Sequence, residues 1–316
     1  MSSWWQLGEE SGQFGTNRAL YQSDHLRGIT AALISAVASA AYIVINKYVY
    51  LHYAVKPAQY VPIFMIATGF YGLLNVVFHI WKQRGTHQKY KKGPSLFVYA
   101  VIISAGLGLV VVGQYFTSAV NSSIIFPAII VWTAIFSWVL LRERFTRSQI
   151  IWCVVLFVGL YIAIVGFRSL TLHIGDLIVL VGTAFVGFSN AYSRPLIARV
   201  GSVVATNARV IVGALMAILI ALFTLRDVSI NSGVVIWALA AGFCLYIGAR
   251  SFALATHLID ANHTSVINNM QIIFVGVLSV SVLGEDYSVE KLIGSLIVLT
   301  SIIFIAHARS RKTATK

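Results

Sequence analysis

Ten stretches of almost unbroken apolar sequence follow one another from residue 28 to residue 308, separated by short polar connectors. They cover 28–47, 58–80, 95–115, 120–141, 148–167, 174–194, 203–225, 232–256, 262–283 and 290–308. Crossing the hydrocarbon core of a bilayer takes about 20 helical residues, and each run is close to that length. Only helices and closed barrels satisfy their own backbone hydrogen bonds in lipid. The runs are continuously apolar instead of alternating over ~10-residue segments, which selects helices. The pattern therefore predicts an all-α polytopic membrane protein with ten transmembrane helices. Residues 1–27 are polar, carry Glu9, Glu10, Arg18 and Asp24, and lack the three-part pattern of a signal peptide. They read as a cytoplasmic tail, and 309–316 as a second, basic one.

Composition and charge agree. Apolar residues make up 58% of the chain and charged residues 10%, where soluble domains carry about 25% charged residues. So little charge cannot cover a water-soluble fold of this length, and the lipid bilayer is the expected solvent. The net charge of +13 is distributed by side. If the ten runs cross alternately, 16 Lys and Arg fall on the side of the two chain ends, among them Lys82, Arg84, Arg142, Arg194 and Arg309. Lys56, Arg168, Arg226 and Lys291 fall opposite. Lys and Arg concentrate in cytoplasmic loops, which predicts a cell-membrane protein with both termini cytoplasmic. A charge placed this way serves topology and lipid contact, so nucleic acid is not an expected partner. Cys153 and Cys244 lie inside apolar runs without metal-ligand or disulfide spacing, and packing is their expected role. Neither a metal nor a cofactor is expected.

The two halves of the chain resemble each other. Gly28 opens the first run and Lys47 stands nineteen positions later; Gly175 opens the sixth and Arg194 stands nineteen later. Ala119 and Ala261, Ser123 and Ser265, Glu143 and Glu285 are each 142 residues apart. Five spans per half means that the second half enters the membrane from the opposite side. This is an inverted repeat, an arrangement that places substrates at the repeat interface.

The segments SAVNSSIIFPAIIVWTAIFSWVLLRERFTRSQ (118–149) and DANHTSVINNMQIIFVGVLSVSVLGEDYSVEK (260–291) carry a resemblance to the EamA type of the drug/metabolite transporter superfamily. It extends over about 28–308. It implies two EamA-like repeats, 28–168 and 174–308, around a central cavity, with alternating access and export or exchange of metabolites. The chain departs from the family pattern at Asn268-Asn269, where a proline is usual and the first half has Phe126-Pro127, and at Arg250 in the eighth span.

Polar groups are costly in lipid, so each one within a span asks for a reason. Arg209 lies about six residues into span 7, roughly 9 Å along the axis at 1.5 Å per residue. Arg250 on span 8, Asn268, Asn269 and Gln271 on span 9, Asn75 on span 2 and Asn190 on span 6 lie at similar depths. Tyr246, Arg250, Ala253 and His257 form one stripe of span 8; Thr264, Asn268, Gln271 and Val275 form one of span 9. Two guanidiniums at this depth without a carboxylate suit an anionic ligand held by bidentate geometry. The candidate substrate site is therefore Arg209, Arg250, Tyr246, Asn268, Gln271, Asn190 and Asn75. The competing reading has the arginines snorkelling to lipid phosphates and the amides bridging helices. Lys47 and Arg194, at span ends, are expected to snorkel, and Glu143 and Glu285 to serve structure.

These features predict a secondary transporter, an exporter or exchanger, of a small carboxylate- or phosphate-bearing solute, as monomer or homodimer. The alternative is an integral membrane enzyme acting on lipid or an interfacial substrate. That would need a nucleophile, metal ligands or an acid/base pair, and no HExxH or Gly-rich phosphate loop is present. Asp176, Asp260, Glu143, Glu285, Asp286 and Glu290 all lie near span ends, so no buried-carboxylate proton relay is expected.

Overall fold

A computed structural model describes residues 6–82, 95–143, 146–166, 173–226, 231–259 and 261–314. The loop cations Arg84, Lys89, Lys91, Lys92, Arg144 and Arg168, and Asp260, lie outside the described residues. Among the described residues ten helices are long and apolar enough to cross a membrane: Asp24–Tyr53, Pro57–Phe78, Leu96–Phe116, Ala119–Leu141, Arg147–Val165, Ile174–Val200, Val203–Thr224, Ser232–Leu258, His263–Leu283 and Val289–Ala308. They are called spans 1 to 10. An even number returns both chain termini to one end of the bundle, called here the tail end; the other is the far end. Large apolar side chains point outward, with Phe223 86% and Ile236 64% exposed, a surface that only lipid tails cover at no cost.

The main packing partners all cross between halves. Span 1 packs along span 8 and span 3 along span 6; span 2 meets span 7, and span 5 meets span 10. Exchanging each span for the one five places later maps this pattern onto itself, including the lesser contacts of span 2 with span 8 and span 3 with span 7. That is the signature of two interlocked five-helix repeats of opposite orientation. Small residues set the closeness. A Cβ on Gly182 of span 6 would lie 2.8 Å from the Gly106 carbonyl oxygen of span 3, and one on Gly294 of span 10 would lie 2.6 Å from that of Gly159 of span 5. Backbones in contact gain dispersion that lipid cannot replace.

Spans 4 and 9 are each broken. Span 4 is helical over Ala119–Ile125 and again over Ala128–Leu141, parted at Phe126-Pro127. Pro127 has no N–H to continue the ladder. Span 9 runs Ala261–Asn268, then Gln271–Leu278, and ends in a π-helical turn, Ser279–Leu283. Its break stands without a proline. The Asn269 side-chain amide donates to the Ser265 carbonyl at 2.7 Å, and the Met270 N–H bonds three residues back to Ile267. An asparagine that competes for helix carbonyls thus stands where the first half uses proline.

Span 1 exceeds its predicted end at residue 47 and continues to Tyr53. Lys47 is therefore inside a helix instead of at its end. Its ammonium does not snorkel: it donates to the carbonyls of Gln114 at 3.2 Å and Thr117 at 2.6 Å, the unfilled acceptors at the end of span 3. Arg194 lies six residues before the end of span 6 and donates to both oxygens of Glu143, at 2.9 and 2.8 Å. Both expectations of snorkelling are corrected for one reason: a carbonyl or carboxylate within reach of the head group is a better partner than distant lipid.

Candidate functional site

The site is built where spans 1, 2, 3, 7, 8 and 9 converge. Span 7 supplies two polar groups facing different neighbours. The Asn207 amide donates to the Asn75 carbonyl on span 2 at 3.1 Å, and the Asn207 carbonyl accepts from the Tyr246 hydroxyl on span 8 at 3.1 Å. Two residues on, the Arg209 side chain lies within hydrogen-bonding reach of Tyr99 on span 3 and within electrostatic reach of Tyr42 on span 1. Its backbone carbonyl accepts from Ser104 at 2.8 Å, which pins span 7 to span 3. Arg250 lies close enough to Tyr246 to influence its phenol electrostatically.

Both arginines are half-buried, and among the described residues neither takes part in an ion pair such as Asp24–Arg27 or Glu143–Arg194. A buried cation without a counter-charge is expensive.

Span 9 contributes amides around its break. Asn268 accepts from the Ser35 hydroxyl of span 1 at 2.6 Å. Gln271 is fully buried, yet neither its Nε2 nor its Oε1 has a partner.

The predicted site residues are thus brought together in part. Asn75 and Tyr246 meet through Asn207, Arg250 lies beside Tyr246, Arg209 lies toward spans 1 and 3, and Asn268 bonds span 1. Asn190 is half-buried on span 6, and its side chain makes no hydrogen bond among the described residues. Sequence reasoning missed Asn207, Tyr42 and Tyr99. Asn207 carried a usable signal, an amide in an apolar run two residues from Arg209. The tyrosines carried none, because a mid-span phenol reads as apolar bulk until its neighbours are known.

At the far end the polar groups are dense. The Glu285 oxygens accept the N–H groups of Ala119 at 2.9 Å and Val120 at 3.1 Å, capping the start of span 4, within electrostatic reach of Lys47. Asp176, 2% exposed, accepts from the Thr117 hydroxyl and from Asn121. Asn46 donates to Gln114 at 3.2 Å and accepts from Tyr60 at 2.7 Å. Asp176 sits at a span end as expected, but it is buried, which its end position did not reveal. Among the described residues no three of His, Cys, Asp and Glu cluster closely enough to hold a metal ion.

A ten-helix bundle of two inverted repeats with polar groups at the repeat interface defines a membrane carrier. The EamA-like transporter family model matches residues 26–165 and 173–307, and the chain belongs to that family, with the domain present twice. A curated relative, the uncharacterized transporter YyaM of Bacillus subtilis (strain 168), is 25% identical over 223 residues, 67% of this chain and 73% of its own. A solved crystal structure superposes with a TM-score of 0.61 at 14% identity, covering 92% of this chain and 99% of its own, a likeness of fold. The protein is a multi-pass membrane transporter.

Proposed function

We propose that this chain is a secondary transporter, exporting or exchanging a small carboxylate- or phosphate-bearing solute by alternating access, with both termini cytoplasmic. One observation carries the reading. Arg209 and Arg250 are half-buried on neighbouring spans with no carboxylate partner among the described residues. Asn75, Tyr246, Asn268, Gln271 and, at similar depth, Asn190 supply the surrounding hydrogen-bonding groups. The repeat symmetry also sets a basic residue and a glutamate at each end: Lys47 within electrostatic reach of Glu285 at the far end, Arg194 paired with Glu143 at the tail end. Alternating access opens one while the other holds.

The test is uptake into vesicles of lactate, succinate and glycerol 3-phosphate, with glucose and choline as neutral and cationic controls. At equal membrane expression, Arg209→Gln, Arg250→Gln and Arg250→Lys should each weaken transport of the carried anion. A charge-assisted hydrogen bond contributes about 1.5–3 kcal/mol, so the expected loss of affinity is roughly 10- to 150-fold. Lysine fails at position 250 because a point charge does not reproduce a bidentate fork. Transport unchanged in all three variants, or carriage of choline alone, removes the anion site.

A further inference from the structure

A cavity of about 220 Å³ opens on the outer surface of the bundle between spans 4, 5 and 6. The packing pattern leaves it there. Span 5 has its main partner in span 10 and span 6 in span 3, so these two neighbours in sequence are drawn apart and a cleft stays between them. Phe157, Tyr161 and Ile164 of span 5 form one wall, and Leu177 and Leu180 of span 6 the other. Phe157, Tyr161 and Leu177 are exposed, so the mouth faces the hydrocarbon. Ile125 lines the cavity from span 4; it is buried, and is the last helical residue before the break at Phe126-Pro127.

The lining surface is almost entirely carbon. Its one charged residue, Asp176, is committed elsewhere, since its carboxylate accepts from Thr117, Asn121 and the His173 N–H. A water there would lack the polar partners it needs, and packed proteins leave few voids larger than a water molecule. We propose that the cleft binds one acyl chain of a membrane phospholipid, which enters between spans 5 and 6 and ends against Ile125. Span 5 ends at Val165 and span 6 begins at Ile174, so the cavity lies in the far half of the bilayer and its lipid comes from that leaflet. Leaving fluid lipid for the cleft removes no apolar surface from water. The gain is dispersion contact with fixed walls on three sides, which a chain in the open bilayer does not have. The site is separate from Arg209 and Arg250 and stands or falls without the anion reading.

The experiment counts phospholipid held by the purified full chain, by native mass spectrometry. The protein is titrated with dioleoylphosphatidylglycerol, then challenged with dihexanoylphosphatidylglycerol, which carries the same head group on short chains. The parent is expected to hold one dioleoyl lipid more tightly than any further one, and the short-chain lipid should not displace it. Leu177→Trp lays a ring across the mouth, and Ile164→Phe fills the cleft from the opposite wall. Each should weaken retention of that lipid about tenfold or more. Leu219→Trp, on the exposed surface of span 7 outside the cavity, should leave retention unchanged. Melting temperatures identify which variants are folded, and either filled variant suffices for the test. Retention at the parent level in a folded, filled variant overturns the site, as does a parent that holds no lipid preferentially. Displacement by the dihexanoyl lipid means that the head group is what is held, and an equal loss in Leu219→Trp means that the effect is not local; both also overturn it.

Discussion

The tail end and the far end of the bundle are built from the same repeated parts, a basic residue nineteen positions into the first span of a half and a glutamate after the fourth span of the other. Their surroundings differ. At the tail end Arg194 and Glu143 form a direct pair whose side chains are 35% and 46% exposed. At the far end Lys47 holds carbonyls at the end of span 3, Glu285 caps span 4, and Asp176, Asn46, Gln114 and Tyr60 crowd around the same junction. An exposed pair in high dielectric contributes little, whereas charges bonded to buried helix ends contribute a good deal. Equivalent positions of the two repeats thus make a weak clasp at one end and a strong one at the other.

Three substitutions test that difference, each read as the melting temperature of the purified protein. Glu285→Ala strips two charged hydrogen bonds from the start of span 4 and the counter-charge from Lys47; it should cost about 2–4 kcal/mol, the largest loss. Asp176→Asn keeps the shape but removes the charge at the helix start and weakens the bonds from Thr117 and Asn121, for a loss of about 1–2 kcal/mol. Arg194→Gln at the tail end should cost no more than about 0.2–1 kcal/mol, and that difference should shrink further in high salt. If Arg194→Gln proved as costly as Glu285→Ala, the two ends would be equivalent and the asymmetry drawn here would be wrong.

Much of the fold was legible in the sequence, because span number, approximate limits and repeat register follow from hydropathy and spacing, which are local quantities. The glutamates were visible as a repeated pair. Their partners were not, since Glu285 bonds the N–H groups of residues 119 and 120, more than 160 positions away. The break in span 9 was flagged only as a missing proline; that Asn269 performs the same interruption depends on a side-chain bond to Ser265. At the candidate site, depth could be counted from span ends but rotation about each helix could not. Hence Arg209 and Arg250 were proposed at one depth, whereas the structure sets Arg209 toward Tyr99 and Arg250 toward Tyr246, and Tyr42 and Asn207 were passed over. Asn190 was included on depth alone.

The cross-half packing also has a consequence in time. Span 1 has its principal neighbour in span 8, which is completed 205 residues after span 1 ends. At about 5–20 residues per second the first helix waits roughly 10–40 s in the bilayer before its partner is made. Throughout that interval Gly28 and the small residues Ser35 and Ser39, which later receive span 8, face lipid or whatever chaperone is at hand. Neither half has a complete set of neighbours of its own, so the chain acquires its structure late and as a whole. A truncation after the first repeat would leave five inserted helices that have not yet met the surfaces they were shaped for.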